Sequence, residues 1–178
     1  YVELATGLCY QQDAQGPWLD AQEVIEVLPD GSGVARQGQH QVEFPVNLKE
    51  GLIGLRTPDG KQFRSRPLGL VYYDAATGQS VLIAELQDAP GKLVAPNTVL
   101  YPDAFDDVTA DVRLVYRLAS FEADVILRDR RLPDPERWGL DPRTTRLQVW
   151  TEFLEAPAGT RDTVVRRAEP DARMRQAM

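Results

Sequence analysis

Four aspartates, Asp103, Asp106, Asp107 and Asp111, stand just ahead of a strongly apolar run in the stretch DAFDDVTADVRLVY. Carboxylates at this density are what a calcium site needs, since the ion takes about six to eight hard oxygen ligands. The spacing is not that of an EF-hand, which has a central glycine and a closing bidentate glutamate. The same residues also suit a turn. There Asp106 and Asp107 accept hydrogen bonds from nearby backbone amides, while Phe105 and Val108 anchor the turn to a core. The turn is the expectation, and calcium is the cofactor alternative.

Other reactive side chains are few. His40 is the single histidine and Cys9 the single cysteine. Histidine-cluster metal sites and an internal disulfide are therefore excluded, and any Ser-His-Asp triad must use His40. No Gly-x-Ser-x-Gly elbow or phosphate-cradling glycine loop is present. His40, in QGQHQVEF, is expected to be structural and near a strand start. Cys9, in GLCYQ, reads as a small buried residue, and a Cys9–His40 thiol dyad is the functional alternative. A glycosidase needs two carboxylates about 5–10 Å apart. No pair among the 27 acidic residues is marked out for that work, so a carboxylate-dependent hydrolase is the third-ranked reading.

Recognition chemistry is better provided for. Trp150 alternates with Arg146, Gln148 and Glu152 onto one face of a run from Arg146 to Phe153, with Leu147, Val149 and Phe153 on the other. Trp18 sits in the loop QGPWLD. Trp150, Trp18, Gln148 and Glu152 are thus the candidate ligand-binding residues, for a glycan or for another protein surface.

The elements that must position these residues are β-strands. LPDGSG, TPDGKQ and DAATGQ supply turns in which glycine takes a positive φ. Short β-rich runs lie between and after them: Glu23–Leu28, Gln41–Val46, Leu52–Arg56, Gln62–Arg66, Leu68–Tyr73, Val81–Leu86 and Lys92–Leu100. Strands at this spacing predict a sandwich or barrel. The alternation beyond the aspartates predicts a hairpin over Asp111–Arg128. With Ala119-Ser120 as its turn, Leu118 faces Phe121, Leu114 faces Val125 and Arg117 lies across from Glu122.

The 178 residues suit one domain, and the 43% apolar and 26% charged fractions are those of a globular chain. A net charge of −7 argues against nucleic acid, whose binding rests on clustered cations. No apolar run reaches the length of a membrane-spanning helix. The chain begins at Tyr1 with no signal-peptide pattern, so a processed or excised N-terminus is expected. Residues 158–178 carry five arginines and few apolar anchors, the composition of a flexible polar arm or linker.

The stretch VLYPDAFDDVTADVRLVYRLASFEADVILRD resembles a segment of bacterial secreted and cell-surface proteins of the RHS, or YD-repeat, type. Tyr101, Phe105, Asp111, Arg113, Tyr116, Phe121, Glu122, Asp124, Val125, Ile126 and Leu127 carry the match. TPDGKQFRSRPLGLVYYDAATGQSVLIAEL and TTRLQVWTEF look like the module that precedes the repeats in some of those proteins. The resemblance implies a β-rich, non-catalytic part of an exported polypeptide, with other chains or neighbouring domains as partners. It brings no catalytic residues with it, and no YD repeats are present.

The expectation is an all-β chain: an antiparallel two-sheet sandwich over residues 1–157 and a polar arm over 158–178. Its leading function is that of an extracytoplasmic structural or interaction module. A carbohydrate-binding module using Trp150 or Trp18 is the alternative.

Overall fold

The structure is a computed structural model that describes residues 9–12, 15–129 and 131–159. The predicted arm, from residue 160 onward, lies outside the described residues. The fold is all-β and antiparallel. A two-stranded ribbon pairs β1 (Cys9–Gln11) with β2 (Trp18–Asp20). The larger sheet contains β3 (Glu26–Val27), β4 (Gly33–Ala35), β5 (Gln41–Phe44), β6 (Ile53–Arg56), β7 (Gln62–Asp74), β8 (Ser80–Glu85) and β13 (Thr145–Glu155). Its order is β13-β7-β6-β5-β4-β3, with β8 also paired to β7. The smaller sheet contains β9 (Lys92–Ala95), β10 (Thr98–Tyr101), β11 (Ala110–Tyr116) and β12 (Phe121–Leu127), in the order β12-β11-β10-β9.

The core is built by both sheets. Val42, Phe44, Ile53, Leu70 and Tyr72 from the larger one join Val99, Tyr101, Val112, Leu114 and Tyr116 from the smaller. Three buried tyrosines also tie strands to distant segments through their hydroxyls. Tyr72 donates to the Pro133 carbonyl (2.7 Å), Tyr101 to that of Pro45 (2.8 Å) and Tyr116 to that of His40 (3.1 Å). Each bond satisfies a polar group that burial would otherwise leave unpaired. Burial pushes the Tyr101 phenol well above its usual value and that of Tyr116 up to about 12.

All three glycine turns form, with Gly31, Gly60 and Gly78 at φ of 87°, 82° and 77°. β1, β2 and β4 lie outside the runs read as strands, and Trp18, expected in a loop, stands at the start of β2. The expected strands themselves depart from the sequence reading at four places. Gln62–Arg66 and Leu68–Tyr73 are one strand, β7, continuous through Pro67. Its pairing with β13 shifts by one residue beside Leu68, and such a bulge moves the inward set from one parity to the other. Lys92–Leu100 is two strands, β9 and β10, because Pro96-Asn97 turns the chain back on itself. Within Glu23–Leu28 only Glu26–Val27 pairs as strand. The β11–β12 hairpin exists, but Tyr116 faces Phe121 and Val112 faces Val125. The register is thus slipped by two residues and the loop is Arg117–Ser120, closed by Arg117 N–H donating to the Ser120 carbonyl (2.9 Å). A slip of two preserves which face is apolar, so the alternation alone does not fix it.

Candidate interaction surface

The acidic cluster is occupied by the protein itself. Asp111 is buried; its Oδ1 accepts from the Asp103 N–H (2.8 Å) and forms an ion pair with Arg128 Nε (3.1 Å). Arg128 also pairs with Asp103. Asp103 takes the left-handed conformation at φ 49°, which a short polar residue tolerates. Asp106 accepts from the amides of Asp107 (2.7 Å) and Glu85 (2.9 Å), fastening the turn to the end of β8. Phe105 and Val108 are buried beneath it. Burial pushes the Asp111 carboxyl up. Among the described residues, no three His, Cys, Asp or Glu side chains group so as to hold a metal ion.

The His40 ring lies 4.9 Å from that of Tyr116, and its Nε2 is buried without a hydrogen-bond partner. Burial holds its pKa below the usual histidine value, partly offset by a hydrogen bond with the Ser120 backbone. An open cavity of about 330 Å³ adjoins it, lined in part by Thr57, Leu118 and Ser120. The Ser120 hydroxyl is bonded directly to Glu122 (3.3 Å), so no histidine stands between hydroxyl and acid as a triad requires. Cys9 is half-buried in β1 rather than enclosed in the core.

A surface with several exposed apolar side chains is formed by β13 and its neighbours. Trp150 stands opposite Gly69 of β7, and Gln148 opposite Val71, which in turn faces Leu82 of β8. Trp150 remains 42% exposed and Leu82 45%. The indole Nε1 donates to Gln148 Oε1 (3.0 Å), which fixes the ring beside an amide. Further along, Glu152 accepts from Arg66 Nε (3.1 Å). Gln148, Trp150 and Glu152 thus share one face, as the alternation predicts. Trp18 is 66% exposed but belongs to the separate β1–β2 ribbon.

Gly69 makes the tight join here. A Cβ at that position would stand 2.3 Å from the Ala84 carbonyl oxygen and 2.7 Å from Leu82 Cδ1. The opposite side of β13 adds Val149 and Phe153 to the exposed set, and Leu154 lies at a second register shift, between Phe153 and Glu155. Sequence reasoning missed Leu82, Gly69 and Leu154 as members of this surface, because the pairing of β8 beside β7 and the bulges are needed to assemble it. Compared with family models, curated proteins and solved structures, the chain matches none. Among the described residues no helix is long and apolar enough to cross a membrane.

Proposed function

We propose that this chain is a non-catalytic structural and interaction module of a bacterial surface or secreted assembly, of the kind found in RHS-type exported polypeptides. Its working surface is β13 with the adjoining face of β7 and β8. The observation that supports this is the exposure of Trp150 and Leu82 on one face of the β13–β7–β8 sheet, with Val149 and Phe153 exposed on the opposite face of β13. Large apolar side chains left exposed on both faces of an edge strand suit a contact site. Its partners are other chains or neighbouring domains. A photo-cross-linking residue in place of Leu82, in the native source, is expected to give a higher-mass adduct. The same residue in place of Lys61, on the Thr57–Lys61 turn, is expected to give none. Equal yields at both positions would contradict the proposal.

The second reading is glycan binding at Trp150. It is favoured by one feature, an exposed indole held beside the Gln148 amide, since a flat ring with an adjacent hydrogen-bonding group suits a sugar face. Quenching of tryptophan fluorescence by soluble polysaccharide, lost in Trp150→Ala, separates it from the first.

A further inference from the structure

Strand β13 ends the larger sheet. One side pairs with β7, and among the described residues no strand pairs the other. Edges of this length are ordinarily blunted by lysine, proline or a short span. Thr145–Glu155 contains neither lysine nor proline, and it exposes Val149, Trp150, Phe153 and Leu154. Its charges are instead segregated by end: Arg146 stands at its start, with Arg143 just ahead of the strand and paired to Asp141, and Glu152 and Glu155 stand at its finish.

That distribution is self-complementary in one orientation. Laid antiparallel to itself about a two-fold axis at Val149, the strand sets Arg146 opposite Glu152 twice. It also brings Arg143 level with Glu155, Gln148 opposite Trp150, and Val149 opposite its own copy. Opposite charges facing each other across strands stabilise a pairing, and like charges oppose it. Arg146 Nη1 donates to the carbonyls of Arg143 (3.3 Å) and Thr145 (3.0 Å). A guanidinium has about five N–H donors, so it keeps others for an incoming carboxylate. Glu152 meets Arg66 through Oε2, and a carboxylate accepts bonds at both oxygens.

We infer that the occupant of this edge is a second copy of the chain, paired antiparallel along β13 about a two-fold axis. A two-fold contact requires a surface complementary to itself, and the charge order of β13 has that property. The two larger sheets then run on as one, with both Trp150 rings on the same face. This inference rests on the reading of β13 as the working surface, and it names the partner.

Light scattering on the full chain across a dilution series tests it. The mass is expected to climb from 19.9 kDa toward twice that value as concentration rises. Arg146→Glu alone and Glu152→Arg alone each place like charges across the join and are expected to stay at the single-chain mass. Mixed together they present opposite charges at both positions and are expected to associate. If Glu152→Arg does not fold beside Arg66, the pair Arg143→Glu and Glu155→Arg asks the same question at the rim. A wild-type chain that stays at 19.9 kDa throughout overturns the inference, as does a dimer that both single variants leave intact. A single-chain mass combined with a selective adduct at the Leu82 position would retire self-pairing while leaving the module reading in place.

Discussion

Arg128 is the residue on which the acidic turn depends. It is the cation that Asp103 and Asp111 share, and Asp111 is the one aspartate of the cluster that is buried. Arg128→Met leaves that carboxylate with one backbone donor and no counter-charge. Stranding a buried acceptor costs about 1–3 kcal/mol, and chemical denaturation at neutral pH is expected to show a loss in that range. The sign of its pH dependence follows. An acid whose folded pKa lies above its unfolded one opposes folding while ionised, so the deficit shrinks as pH falls and Asp111 takes up a proton. A deficit that grows on acidification would contradict this role. The turn was legible in the sequence where Asp106 accepts from the neighbouring Asp107 amide above buried Phe105 and Val108, but its second bond, from the Glu85 amide 21 residues away, was not. Nor was Arg128, since it meets Asp111 only through the fold of the hairpin between them.

Among the elements, β7 carries the largest structural burden. It pairs with β13 on one side and with both β6 and β8 on the other. At Gly69 β8 packs close against it, with the Ala84 carbonyl oxygen 2.3 Å from where a Cβ would stand. Gly69→Ala drives a methyl into the Ala84 carbonyl oxygen, and overpacking of this kind costs about 1–3 kcal/mol. The substitution should also loosen the edge on which Leu82 is mounted. Gly78→Ala is the control: its added carbon meets nothing within 4 Å, so the cost is only that of a positive φ, about 1–2 kcal/mol. Urea unfolding should therefore place Gly69→Ala at or below Gly78→Ala in stability, with hydrogen exchange faster in Ser80–Glu85 for the former alone. A Gly69→Ala chain as stable as wild type would show that β8 does not sit so close. Alternation was enough to read the β11–β12 hairpin and the faces of β13, since both depend on period-two patterning. It failed where the period breaks, at Leu68 in β7 and at Pro96-Asn97. The two-residue slip in the hairpin has the same origin, because shifting by two leaves every side chain on its own face.

At the scale of the molecule, two sheets enclose one core and are stitched by buried tyrosine hydroxyls and loop contacts. Glu23 illustrates the stitching: it accepts from the Leu118 amide (3.1 Å) and the Asn97 side chain (3.2 Å), joining the segment before β3 to two loops of the smaller sheet. The sandwich was readable from turn spacing, but not its strand order, which depends on contacts between residues far apart in the chain. The same holds for the surface, whose Trp150 was evident from alternation and whose Leu82 was not. On the proposed reading, β13 and the face beside it are where this chain meets its surroundings. Hydrogen exchange with mass readout, on the chain in a washed envelope fraction from its source and on the purified chain at high dilution, tests it most directly. Slower exchange is expected in the envelope fraction over Thr145–Glu155 and Ser80–Glu85, with the Phe121–Leu127 strand unchanged. Equal exchange over Thr145–Glu155 in both samples, or protection gained only on the smaller sheet, would contradict it.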